Sequence, residues 1–169
     1  MQQLMDIDRG APPRYAWRMD STPAAEAALT FFHRGYRCAQ SVLAPFAGQL
    51  GITTEQALRF ASGFGAGMGR MRGTCGALSS LCMIAGHCHG NTEGTAEGKE
   101  HIYKLIRTLA GEFSNEFGSI TCSKLLNLPD NVVESARPEE RSAEYYAARP
   151  CERCIAFCAE RAQVLLNHA

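Results

Sequence analysis

The residues of this chain with chemistry to offer are its eight cysteines, and four of them share a local setting. Cys38 follows Gly35-Tyr36-Arg37, Cys75 follows Thr74, Cys122 follows Thr121, and Cys151 follows Pro150. Threonine is a good N-cap and proline favours the first helical turn, so each cysteine is expected where a helix opens. Free backbone N–H groups and the positive end of the macrodipole lie there. That setting lowers a thiol's pKa and favours the thiolate, which is both the nucleophile and the metal ligand. Four such helix ends converging would stabilise an anionic thiolate–metal or thiolate–cluster site.

The other four cysteines read differently. Cys82 lies two turns beyond Cys75 on the same helix face, and Cys154 and Cys158 continue from Cys151 on a stripe that reaches Ala162 and Leu165. All three are expected as core packing of amphipathic helices. Cys88 stands between His87 and His89. Such a triplet could bind zinc or copper, but neighbouring side chains point different ways and cannot address one ion without an irregular backbone. Cys151-Glu152-Arg153-Cys154 is a Cys-x-x-Cys, yet Ile155 stands where covalent haem attachment needs histidine. No strand precedes it, as a thioredoxin-like motif requires, and no second pair of matching spacing suggests a zinc ribbon or finger.

The run from Gly63 to Gly73 alternates glycine with other residues and carries Arg70 and Arg72. Alternating glycines permit positive φ and close backbone approach, and successive N–H groups can form an anion-binding nest. The dinucleotide pattern Gly-x-Gly-x-x-Gly is not met, because its last position falls on Met68, Arg70 or Arg72. No Gly-Lys-Ser/Thr exists either. The run is expected to wrap the site around Cys75 and donate N–H bonds to sulfur, with Gly65, Gly67, Gly69 and Gly76 as cofactor-binding backbone. Tight helix packing at a bend is the other account of it.

The elements that must position these residues are helical. Ser21-Thr22-Pro23 opens a helix through about His33. Residues 38–50 form another, with Pro45 as a kink, and Thr53 with Gln56 makes a capping box ahead of a third. A helix runs from Thr74 to about Gly86. Ala96 to Phe117 is long and amphipathic, with Ile102, Leu105, Ile106, Leu109 and Phe113 on one stripe. A short helix starts near Thr121, Pro138 opens about two turns, and Pro150 begins a last helix through Leu166. The class is all-α: a compact bundle of about six to eight helices with a glycine-rich bend near the cysteine site. Residues 1–20 read as a polar N-terminal arm and 21–169 as a single helical domain.

Composition narrows the function. Lys plus Arg and Asp plus Glu are both 17, so a generally basic nucleic-acid binder is not expected. No apolar run approaches the roughly 18 residues of a membrane span. The first residues carry no apolar signal core and no twin arginine, so the protein is read as cytoplasmic. In a reducing compartment, clustered cysteines are more often metal ligands or redox thiols than disulfides. His33 and His101 read as packed or surface residues, and Glu139-Glu140 as a solvated face.

On several segments the chain resembles the C-GCAxxG-C-C family, whose members are regarded as redox-active. The matching residues are Gly35-Tyr36-Arg37-Cys38-Ala39-Gln40-Ser41-Val42-Leu43, the run Phe64-Gly65-Ala66-Gly67-Met68-Gly69 leading to Cys75-Gly76-Ala77, Phe117-Gly118-Ser119 with Thr121-Cys122 and Leu125-Leu126, and Cys151. Ser80 stands where the family has a glycine. A related domain of split-Soret cytochromes accompanies a non-haem iron centre. The resemblance therefore implies an iron–sulfur or other metal site at Cys38, Cys75, Cys122 and Cys151. It implies electron transfer or redox sensing rather than enzymatic turnover, with a redox partner protein left unidentified and a homodimer open. Two other readings stay open: a metal-free thiol–disulfide oxidoreductase using a pair such as Cys38 and Cys75, and a structural zinc protein.

Overall fold

Helix starts in this chain are written as caps; Thr22 and Thr53 form as written, and Thr121 takes the N-cap position without a side-chain cap bond. The computed structural model describes residues 22–129 and 134–169; the N-terminal arm read at 1–20 lies outside them. Thr22 accepts the Ala25 N–H and opens α1 (Pro23–His33). The helices α2 (Cys38–Leu43) and α3 (Thr54–Ala61) follow, the latter opened by the reciprocal Thr53–Gln56 capping box. Then come α4 (Gly76–His89), α5 (Ala96–Phe117), α6 (Cys122–Leu125), α7 (Ala143–Ala147) and α8 (Cys151–Asn167). Among the described residues there is no strand, and the class is all-α. No helix is long and apolar enough to cross a membrane.

Three boundaries differ from the sequence reading. Pro45 ends α2 rather than kinking a longer helix, and the chain passes into a 3-10 turn at Ala44–Phe46. Proline has no N–H to continue the helical ladder and its ring crowds the preceding turn. Thr74 does not cap α4, because a bridge to Thr121 holds it extended; Cys75 itself takes the cap position and the helix runs on to His89. Pro138 opens no helix. Ser142 does so instead, its hydroxyl accepting the Tyr145 N–H at the start of α7.

The core lies where α8 packs against α1 and α4 and where α4 packs against α2. Small residues at these contacts let the helices approach closely: Ala28, Ala39, Ala77, Ala85, Ala159 and Ala162 are fully buried. Val42, Phe46, Leu78, Leu81, Ile84 and Ile155 fill the space between. The stripe on α5 meets this core at Leu109 and Phe113, while Ile102, Leu105 and Ile106 are half-buried. Phe113, Phe117 and Phe157 join α5 to α8 as an aromatic cluster with ring centroids 4.7–5.9 Å apart. The helical layer is thus a rigid floor, and one end of it carries the helix starts that matter.

Candidate functional site

Each of the four singled-out cysteines begins a helix. Cys38, Cys122 and Cys151 are the first residues of α2, α6 and α8, and Cys75 caps α4. All four line one cavity of about 30 Å³, together with Cys154, Arg72 and Tyr145. That is room for about two water molecules. Among the described residues, no three His, Cys, Asp or Glu side chains are grouped so that they could hold a single metal ion.

Backbone bonds bring the helix starts together. The Cys75 N–H donates to the Ile120 carbonyl at 2.8 Å, and the Cys122 N–H to the Gly73 carbonyl at 2.7 Å. With the Thr74–Thr121 bridge, this stitches the approach to α4 against the approach to α6. Ser80, the departure from the family glycine, donates its hydroxyl to the Ala39 carbonyl at 2.7 Å. It ties α4 to α2 and so fixes Cys75 relative to Cys38.

Two of the four glycines expected at the site let backbone approach sulfur. A Cβ on Gly76 would lie 2.5 Å from the Phe64 carbonyl oxygen and 2.7 Å from the Cys38 Sγ. Gly67 has φ +72°, and a Cβ there would meet the Cys122 Cβ at 2.7 Å. The open face of Gly65 is filled by the Arg37 side chain, and that of Gly69 meets nothing within 4 Å. The N–H donation to sulfur expected of the glycine run falls on Cys38, whose sulfur the Ala66 N–H reaches, while Cys75 receives N–H bonds from Ala77 and Leu78. The first turn of α4 itself serves Cys75.

The bend takes an unusual path. Ala66, Gly67, Met68, Gly69 and Arg70 all have φ between +54° and +72°, and Arg72 follows at +59°. Left-handed backbone costs an L-residue about 1–2 kcal/mol, and glycine relieves that cost at only two of these six positions, Gly67 and Gly69. Ion pairs hold the rest. Arg70 and Arg72 both bind the Glu134 carboxylate, and Glu139 pairs with Arg149 at 2.5 Å and with Arg70 at 3.3 Å. Glu139 is therefore not merely part of a solvated face: its carboxyl is held below the usual range, because Arg149, Arg70 and Arg72 outweigh the cost of partial burial. Arg72 is buried, and its Nη1 approaches the Cys122 Sγ at 3.9 Å.

Burial reverses the electrostatics expected of helix starts. The Cys38 thiol is pushed up to about 11 by burial and then by the neighbouring Cys75, against three backbone N–H bonds that pull it down. Cys122 is also pushed up to about 11, by burial first, despite Arg72. Cys151 reaches about 12 through burial and then repulsion from Cys38, Cys75 and Cys122. Cys75 is raised well above its ordinary value, first by its hydrogen bond with Cys154 and then by burial. Lost solvation and mutual repulsion outweigh the few N–H dipoles each sulfur meets.

Of the remaining cysteines, Cys158 is fully buried in the core and Cys82 is packed against it. Cys88 is half-buried while His87 is exposed, so the triplet does divide between two directions. Cys154 departs from expectation, since it is buried yet also lines the cavity. The sequence signal for it was the Cys-x-x-Cys spacing, which puts it one helical turn from Cys151 on the same face. Arg149 and Tyr145 were missed; only the tertiary fold brings α7 and the turn before α8 over the cavity.

Fold and site together define an all-α protein with cysteines gathered from separate helix starts. The family model C_GCAxxG_C_C, described as "Putative redox-active protein", matches residues 36–165 and takes in all four of these cysteines. The chain belongs to this family. No curated protein and no solved structure matches it.

Proposed function

We propose that this redox-active protein holds an iron–sulfur cluster, or another thiolate-bound metal centre, at Cys38, Cys75, Cys122 and Cys151. In this reading it serves as an electron carrier or redox sensor in the cytoplasm, where free thiols persist. The observation that carries the reading is the set of four thiols at one cavity, each held neutral by burial and by its neighbours. Negative charge on several of these sulfurs needs a compensating cation, and a coordinated metal supplies it, deprotonating thiols outright.

The donor set suits such a group. All four ligands are soft sulfur, and thiolates select zinc, copper(I) and iron–sulfur clusters. The cavity has room for an inorganic occupant of a few atoms and not for an organic cofactor. When bound, the group would supply one-electron exchange. The protein's own part is to donate N–H bonds to sulfur from Ala66, Ala39 and Gly76, and a guanidinium from Arg72. Hydrogen bonds to cluster sulfurs tune the reduction potential, and Leu125, Leu126 and Tyr145 limit access of water.

Anaerobic purification with iron, zinc and acid-labile sulfide assays tests the reading. Iron and sulfide are expected in the wild type, with the visible absorbance lost in each of Cys38→Ser, Cys75→Ser, Cys122→Ser and Cys151→Ser. Serine keeps the size but offers a hydroxyl that stays protonated and binds soft metals poorly. Zinc alone, or a colourless protein even after reconstitution, would falsify the cluster.

A further inference from the structure

Residues 134–149 are held at the thiol cavity by polar contacts more than by the core. None of them is buried, and their apolar contact with the core is made by the half-buried Tyr145 and Tyr146. One set of contacts fixes the stretch to the glycine bend. The Arg70 Nε–H donates to the Ser135 carbonyl at 2.9 Å, and the Arg72 Nε–H to the Glu134 carboxylate at 2.6 Å. A second set fixes it to the turn between α1 and α2. The Arg141 guanidinium donates to the Phe32 carbonyl at 2.5 Å and to the Tyr36 carbonyl at 2.6 Å, and lies 4.7 Å from the Phe32 ring centroid. Arg72 lines the cavity at the first anchor, and Arg37 and Cys38, which line it too, follow directly on the second. The stretch itself supplies Tyr145 and Arg149 to the cavity wall.

We propose that residues 134–149 form a strap that opens as a unit to admit small reagents and ions to the thiols, with Arg141 as its latch. Segments with few buried apolar contacts open locally, at a free energy below that of global unfolding. The strap has that character, whereas α4 and α8 carry the buried core. Lifting it takes Tyr145 and Arg149 from the cavity wall and leaves Cys158, which does not line the cavity, in its core packing.

Arg141 decides the opening because one planar guanidinium serves two carbonyls at once, and Tyr36 stands two residues before Cys38. Its release frees the strap from the start of α2, while the Glu134 pairs keep the other end on the bend. Arg141 does not line the cavity, so its effect on the thiols runs through the strap and makes it a positioning residue. The strap is a property of the metal-free chain. Its role as the way in for an occupant rests on the proposed metal centre.

The test exposes the full, reduced, metal-free chain to N-ethylmaleimide at fixed pH. Samples are quenched at intervals and digested, and the labelling rate of each cysteine is read by mass spectrometry. Arg141→Gln removes the charged donor of both hydrogen bonds, so the open population should grow about tenfold or more. Labelling of Cys38 and Cys151 should rise by that factor while Cys158 keeps its wild-type rate. Arg141→Lys, which keeps the charge without the planar fork, should fall between the two. Unchanged labelling of Cys38 and Cys151 in both variants overturns the strap. Cys158 rising in step with them in both variants also overturns it, because the thiols are then reached only through global unfolding. Protein reconstituted with iron and sulfide and then given a chelator separates this proposal from the metal centre. Several-fold faster iron loss from Arg141→Gln supports the strap as the occupant's route, and equal loss overturns that route. Iron taken up by neither protein, with labelling shifted as expected, removes the centre and leaves the strap.

Discussion

Cys38 and Cys158 are the same residue in two regions, and their surroundings make them different groups. Cys158 sits inside α8 with no exposure, within the buried apolar core, where a thiol acts as a small apolar side chain. Cys38 sits where α2 begins, with backbone N–H groups of Ala39, Ala66 and Gly76 directed at its sulfur and four other thiols around the same cavity. Both thiols are raised by burial. The difference is polar atoms: backbone donors are aimed at the Cys38 sulfur, whereas Cys158 is raised by burial and then by Cys75, Cys82 and Cys38. Burial alone makes a cysteine inert, whereas burial with aimed donors prepares a place for charge.

The comparison breaks first at the core. Phe113 is fully buried and stacks with Phe117 and Phe157, so Phe113→Ala should cost about 3–5 kcal/mol in denaturant unfolding. Whatever metal the folded fraction holds should keep its stoichiometry per folded molecule, because the helix starts are built separately. At the other end, Gly76→Ala should cost about 1–3 kcal/mol by overpacking against the Phe64 carbonyl and the Cys38 sulfur. Its effect on the cavity should be out of proportion to that stability loss: the thiol-bound centre should be absent even in well-folded protein, as absorbance and metal analysis would report. If Gly76→Ala bound a full complement while Phe113→Ala lost it, the division of labour between the two regions would be wrong.

The smallest expected effect concerns pH. Cys82 is pushed up to about 11 by burial, and Cys158 is raised well above 9.0 by burial and then by Cys75, Cys82 and Cys38. A thiol raised in the folded state keeps its proton there while the unfolded chain ionises. The stability it contributes is complete below about pH 9 and is lost as pH rises toward 11. Denaturant midpoints of metal-free protein should fall across that window, and less steeply in a Cys82→Ala, Cys158→Ala double variant. Equal slopes in the two proteins would show that the core thiols titrate as they do in the unfolded chain.

How much of this was legible before the structure can be followed at particular residues. Ala96–Phe117 was read to the residue, because its apolar stripe repeats at helical spacing over several turns and a threonine and a glycine bracket it. The Thr53–Gln56 box was equally plain, being a contact within four residues. Pro138 misled because a proline permits a helix start without requiring one, and the serine four residues on made the better cap. The positions of the cysteines relative to helix starts were legible for the same local reason. Cys154 was assigned to the core because its stripe was correct; that the same stripe also borders a cavity is not a property of α8 alone.

What the sequence by itself determined is therefore everything set by neighbours a few residues apart: the helical class, the caps, and the fact that Cys38, Cys75, Cys122 and Cys151 begin helices. Hydrogen bonds and side-chain spacing within a turn have their partners written beside them. Only the tertiary structure decided that those starts share one cavity, that Arg72 reaches Cys122 across 50 positions, and that Glu134 and Glu139 clamp a left-handed bend. It also decided the sign of the sulfur electrostatics. The pull of a helix start acts within one turn, but desolvation and repulsion come from everything else that packs around the thiol, and those partners are distant in the chain.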